Sequence, residues 1–391
     1  MTAVCFYFQV HQPPRLRQYS VFETTRDYFD QDRNGAILRK VAHKCYDPAT
    51  QLLLDLIEQH HGQFSVAFSM TGCVIEQLKT HAPQTLERFQ ALADTGRVEF
   101  LSETYHHNLS SLYSPEEFQE QIELHRDLID ETFGQHPRVF RNTELIYSDQ
   151  IAHTIEDMDH YAGILAEGVD ELLQSRSPNH VYTAPTREAI PLLLKHHNLS
   201  DDIAFRFSNP HWGGYPLTAD RFADWIHASG GDCCNLFMDF ETFGEHQWSQ
   251  TGIFKFLAAL PAAVLARGGS FLTPTEAIET YEPQGQYDAP QVTSWADSQR
   301  DASAWTGNAM QSSALQQIYR LESQIKKAND PSLLEDWRNL TCSDHFYYMC
   351  TKYFEDGQVH KYFNPYASPY DSYINYMNVL DHLRSRLDAQ T

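Results

Sequence analysis

Residues 235–248 read Asn-Leu-Phe-Met-Asp-Phe-Glu-Thr-Phe-Gly-Glu-His-Gln-Trp. The apolar run has the character of a β-strand, and a lone Asp239 inside it is costly unless it is paired or used. Glu241 follows two residues on, which in an extended strand puts it on the same face as Asp239. Gly244, His246 and Trp248 then mark a loop. Working outward, six further β-rich runs precede this one: VCFYFQVH (4–11), FSVAFSM (64–70), RVEFLSETYH (97–106), RVFRNTELIY (138–147), YAGILAEG (161–168) and DIAFRFSN (202–209).

Amphipathic segments separate several of these runs. In SPEEFQEQIELHRDLIDETFG (114–134), Ser114 and Glu117 have capping-box spacing and Gly134 suits a C-cap. Strands alternating with helices imply parallel pairing, and about seven such units favour a barrel over an open sheet. After LTPTEAI (272–278) the chain turns helical in character, with Pro283, Gly285 and Pro290 marking a connector over 279–294. The expected architecture is therefore α/β: an incomplete seven-stranded (β/α) barrel over residues 1–280, then a mostly helical C-terminal domain over 281–391.

The 391 residues are 42% hydrophobic and 21% charged, enough to bury a large core. With 29 basic and 52 acidic residues the net charge is −23, which argues against nucleic acid, an anionic membrane surface or a polyanionic substrate. A neutral partner fits better. The 21 Tyr, 23 Phe and 6 Trp suit a groove that packs on the apolar faces of sugar rings. Seven cysteines form no CxxC pair and no even framework, the N-terminus has no basic leader, and no apolar run reaches membrane-spanning length. These features read as a cytoplasmic protein.

In α/β barrels the active site is built at the C-terminal ends of the strands. Here the first run ends at His11-Gln12-Pro13, and the third in Glu103, Tyr105, His106 and His107. The fourth carries Glu144, the fifth Glu167, and the seventh Asp239 and Glu241. One carboxylate at a strand end is an ordinary capped loop residue; acids and histidines ending five strands read as a site. Two carboxylates on separate strands suit retaining glycoside hydrolysis, where they stand about 5–5.5 Å apart.

The residues then show a resemblance to glycoside hydrolase family 57, its α-amylase-like branch in particular. Five stretches are similar to the family's motifs in order: His11-Gln12-Pro13, the run from Gly96 to His107, Phe140 to Leu145, Met238 to Trp248, and Leu272 to Glu276. Ser294-Trp295-Ala296-Asp297 and Ser343 to Tyr348 are similar as well. The resemblance implies a seven-stranded incomplete barrel with a helical region leaning over its mouth, Glu144 as nucleophile and Asp239 as general acid/base. It implies an α-1,4-glucan or maltooligosaccharide substrate and an α-amylase type of hydrolysis; the alternative is a 4-α-glucanotransferase or branching-type transglycosylase.

His11, Glu103, His106, Trp212, Glu241, His246, Trp248, Trp295 and Asp297 are the substrate-binding candidates. Each has a plainer reading: Glu144 as a partner of Arg141, His11 as a satisfied core histidine, the tryptophans as core. No cofactor is expected. The rival enzyme class is a metal-dependent polysaccharide deacetylase, but no His-x-x-x-His pair occurs and no metal is assigned. A non-catalytic glucan binder is the other rival, and the presence of both carboxylates argues against it.

Overall fold

The computed structural model describes residues 2–352 and 364–389. Part of the expected C-terminal helical region, 353–363, lies outside them. Among the described residues nine strands form: β1 (Ala3–Val10), β2 (Val66–Met70), β3 (Val98–Phe100), β4 (Val139–Arg141), β5 (Gly163–Glu167), β6 (Val181–Thr183), β7 (Pro191–Lys195), β8 (Cys233–Asp239) and β9 (Ser270–Phe271). They make one sheet of order β3-β2-β1-β8, with β9 also on β1, and a second of order β4-β5-β7-β6. Every pairing is parallel except β6 with β7. The sheets meet at two places. Ser102 bridges in parallel to Phe140, and on the far side His196 N–H donates to Asn235 O at 2.8 Å. Helices surround both sheets, so this is an α/β fold built on parallel strands.

Alternation along the strands sorts the core into layers. On β1, Val4, Phe6, Phe8 and Val10 pack outward with Phe68, Leu236 and the flanking helices. Ala3, Cys5 and Tyr7 face inward with Ala67, Val139, Leu165, Leu193 and Phe237. Both faces are covered, which is why the strands read as continuous apolar runs. A further cluster joins Phe118, Phe140 and Leu192 to Trp305, Trp337 and Tyr376 from the C-terminal helices.

The sixth expected strand, DIAFRFSN, is not one. Helix His197–Asp201 runs on into a π-helical turn at Asp202–Arg206, and Leu199, Ile203 and Phe207, spaced by four, pack into the core. The strand at this place in the order is β7, whose three leucines are fully buried. Its five residues show no alternation, and a short apolar run cannot be told from buried helix by period alone. Ser114 caps helix Pro115–Phe133 by accepting from Glu117 N–H at 3.2 Å, and Gly134 closes it at φ 65°. The Glu117 carboxylate does not return to the cap, however. It takes Arg338 at 2.8 Å and Lys326 at 3.0 Å, tying this helix to the C-terminal helices.

Candidate active site

The inward positions that continue the apolar alternation turn polar at the C-terminal strand ends. After Tyr7 comes Gln9, after Ala67 Ser69, after Val139 Arg141, after Leu165 Glu167, after Leu193 Lys195 and after Phe237 Asp239. Six strands thus deliver a polar side chain toward one end. Neighbours in this ring neutralise one another. Glu167 is the register partner of Lys195, and their charges lie 3.6 Å apart. Glu103, fully buried, accepts from Gln9 Nε2 at 3.1 Å and Ser69 Oγ at 2.5 Å, and lies 3.8 Å from the buried Arg141 guanidinium.

Glu144 sits just past β4, on a 3₁₀ turn Thr143–Leu145 in which Glu144 (φ 56°) and Leu145 (φ 50°) both adopt left-handed backbone. Such conformations cost about 1–3 kcal/mol each in a non-glycine residue and persist where surroundings over-determine them. Here Thr143 Oγ1 bonds Thr104 Oγ1 at 2.7 Å, and Asn142 Nδ2 donates to Ile146 O at 2.9 Å. The turn aims the carboxylate into the cleft. Trp295 Nε1–H donates to Glu144 Oε2 at 2.7 Å, and His107 Nε2 lies 3.2 Å from Oε1. His107 reaches Glu103 Oε2 through Nδ1 at 3.1 Å.

Burial opposes every charge in this chain, yet the charges support each other. Burial would raise the Glu144 carboxyl, but the hydrogen bond and charge of His107, then Arg141 and Trp295, bring it down to about 2. The same balance holds Glu103 at about 2. Burial would lower His107, but its two carboxylate partners lift it to about 9. The Glu103–His107–Glu144 set is therefore anion–cation–anion from about pH 2 to about pH 9. The stabilisation from His107 is complete below its unfolded value near 6.5 and fades as pH rises through about 9.

β8 ends at Asp239 and turns at once into a 3₁₀ turn, Phe240–Thr242. Glu241 is thus not placed by strand alternation. Its buried carboxyl takes Tyr46 Oη and Gln12 Nε2 (3.4 Å) as partners. Gly244 completes the loop at φ 119°, where a Cβ would lie 2.1 Å from Lys44 O, so no other residue fits. Burial first, and then the charge of Asp239, pushes Glu241 up to about 8. Glu241 is therefore the carboxyl that keeps its proton through neutral pH, beside the charge of Asp239. Glu241→Gln removes the carboxyl that titrates near 8, so the alkaline limb of kcat/KM should shift away from that pH. An unchanged limb in a pH–rate profile would show that Glu241 does not set it.

His11 stacks on His107, centroids 4.1 Å apart, and bonds Thr71 Oγ1 and Asp344 Oδ2, both at 2.9 Å. An open cleft is lined by His11, Glu144, Asp239, Glu241, His246, Trp295 and Asp297 from the sequence-derived set. Four members of that set lie elsewhere. Glu103 is beneath the cleft, behind His107. His106 turns to Gln121 (3.0 Å) and Tyr105, and burial lowers it to about 4. Trp212 packs edge-on to Trp225 at 5.9 Å, against the outer core. Trp248 is 57% exposed, with Lys44 Nζ 5.8 Å from its ring centroid.

Sequence reasoning gave no role to His107 or Asp344, which line the cleft, nor to Arg300, Lys195 and Tyr347 beside them. For His107 the available signal was the adjacent pair 106–107. For Asp344 it was an acid in Ser343–Tyr348, a stretch noted only for its similarity. Among the described residues no helix is long and apolar enough to cross a membrane.

Comparison with known proteins identifies relatives of this chain. A protein of Methanocaldococcus jannaschii, provisionally named an alpha-amylase, is 39% identical over 392 residues, covering 96% of this chain and 83% of the relative. Among solved structures, a 4-alpha-glucanotransferase from Thermococcus litoralis superposes with a TM-score of 0.69 at 12% identity. The match covers 88% of this chain, which spans about 56% of that enzyme. A branching enzyme from Pyrococcus horikoshii gives a TM-score of 0.69 at 14% identity, covering 100% of this chain and 92% of that one. The profile of glycosyl hydrolase family 57 matches residues 5–290. The chain belongs to glycosyl hydrolase family 57.

Proposed function

We propose that this chain is a retaining α-amylase-type glycosidase acting on α-1,4-linked glucans, with Glu144 as nucleophile and Asp239 as general acid/base. One observation carries the reading: Glu144 is held ionised by His107 and Trp295 on the wall of a cleft that Asp239 also lines. In the first step Asp239 gives its proton to the glycosidic oxygen while a Glu144 oxygen bonds to the anomeric carbon, and the C–O bond to the leaving sugar breaks. In the second, Asp239 takes a proton from an incoming hydroxyl, whose oxygen displaces Glu144. His11, Glu241, His246, Trp295 and Asp297 are assigned to holding the sugar. Glu103 acts through His107. We read β1–β5, β7 and β8 as the seven strands of an incomplete barrel over residues 1–280, and 281–391 as a helical unit supplying Trp295, Asp297 and Asp344. Seven cysteines, all buried and free, fit a reducing cytoplasm.

Water as the second acceptor gives hydrolysis; a sugar hydroxyl gives transfer. Incubating the protein with maltoheptaose and resolving the products by chromatography separates these. Only shorter chains are expected. Chains longer than the substrate would replace hydrolase by 4-α-glucanotransferase, and branched products would point to a branching-type transglycosylase. Absence of any turnover alongside glucan binding would overturn the enzymatic reading.

A further inference from the structure

We propose that His11, Cys342 and Asp344 form an inhibitory binding site for a borderline-soft divalent cation, Zn²⁺ above all. The three ligand atoms converge at the edge of the cleft. His11 Nε2 lies 2.9 Å from Asp344 Oδ2 and 3.8 Å from Cys342 Sγ, and Cys342 Sγ lies 3.4 Å from Asp344 Oδ2. A tetrahedral Zn²⁺ with ordinary bond lengths needs ligand–ligand separations of about 3.3–3.6 Å. Two of the three pairs are within a few tenths of an ångström of that range, and the third needs to open by about 0.4 Å. One imidazole, one thiolate and one carboxylate suit Zn²⁺; Mg²⁺ and Ca²⁺ prefer all-oxygen sets.

The ligands are held in place before any ion arrives. His11 directly follows β1, and its Nδ1 is 2.9 Å from Thr71 Oγ1, which also caps helix Gly72–His81 by accepting from Val74 N–H at 3.2 Å. That hydroxyl can donate to Nδ1 or accept from it, so it supports either tautomer. Cys342 is fully buried and pairs through its backbone with Asn108, while Ser343 N–H donates to His107 O at 2.9 Å. On binding, the Cys342 thiol releases its proton to solvent. Neutral His11 keeps its single proton on Nδ1, donated to Thr71, and offers the Nε2 lone pair to the metal. Because His11 and Cys342 are 331 residues apart, no spacing motif could announce the site.

Three protein ligands leave the fourth position open. His11 and Asp344 both line the cleft, so the open position faces the space a sugar would fill, and the ion would replace the His11–Asp344 hydrogen bond. Inhibition rests on the glucan turnover proposed above; binding does not, and is read separately. Titrating the purified, metal-free protein with Co²⁺ should produce near-ultraviolet thiolate-to-cobalt absorption at one equivalent. Zn²⁺ should abolish that band and suppress maltooligosaccharide turnover. Cys342→Ser should lose the band, retain basal turnover, and weaken Zn²⁺ inhibition by about 100-fold or more, at or beyond what loss of an outer-shell partner costs. A wild-type Co²⁺ spectrum without thiolate absorption overturns the site independently of any variant. Equal Zn²⁺ sensitivity in Cys342→Ser overturns it too, and binding that leaves turnover untouched overturns the inhibitory role.

Discussion

Glu144→Gln should lower kcat on maltooligosaccharides by about 10⁴-fold or more, the scale on which loss of a covalent nucleophile is felt. An amide oxygen is too weak a nucleophile to form the glycosyl-enzyme bond, while the cleft around it remains. KM should therefore move little. The substitution also breaks local electrostatics. Glu144 faces two N–H donors, Trp295 Nε1 at 2.7 Å and His107 Nε2 at 3.2 Å, and it is one of the two anions flanking His107. A glutamine keeps one acceptor for Trp295 Nε1–H, and its NH₂ faces His107 Nε2, so His107 must give up that proton and the anion–cation–anion set is lost, at a cost of about 1–3 kcal/mol. A fall of several degrees in the unfolding midpoint should accompany the loss of activity. Azide supplies the stereochemical check. Occupying the place of the missing carboxylate, it should attack an activated α-glucosyl substrate from the opposite face and yield the β-azide. Near-normal turnover by the variant would remove Glu144 from the nucleophile's role.

Much of this site was legible in the chain because strands covered on both faces leave few places for charge. In VCFYFQVH and NLFMDFETFG the apolar residues run without break until Gln9 and Asp239, which are register partners across β1 and β8. The costly residue that ends each apolar stretch marks where the strand meets the cleft. That logic fails where the strand stops early. β3 ends at Phe100, so alternation cannot rank the residues from Glu103 to His107. A left-handed turn at His107 (φ 49°) decides instead that its ring enters the cleft, while His106 pairs with Gln121. Period also failed at DIAFRFSN, where apolar residues two apart mimic a strand although Leu199, Ile203 and Phe207 lie on one helical face. Asp344 was out of reach for a different reason. Its partner His11 is 333 residues away, and only the packing of the C-terminal helices against β4–β7 brings them together.

Asp239→Asn should have an effect that depends on the leaving group, and that dependence is what identifies an acid/base. With maltooligosaccharides the departing sugar oxygen needs a proton in the transition state, so kcat/KM should fall by about 10²–10⁴-fold. With an aryl α-glucoside whose phenol is strongly acidic, bond cleavage needs little protonation, and the first step should proceed nearly as in the parent. The covalent intermediate on Glu144 should then accumulate, because no base remains to activate water. Mass spectrometry of the quenched protein should find one glucosyl unit attached, and a burst of phenol should precede slow turnover. Azide needs no base, so it should restore turnover and give the α-azide, the anomer opposite to that from Glu144→Gln. The two variants are thus distinguished by product configuration as well as by rate. A uniform loss across leaving groups, without a trapped intermediate, would assign the proton to another group. Glu241 would then be the first to test, since its buried carboxyl is already held up at about 8 beside Asp239.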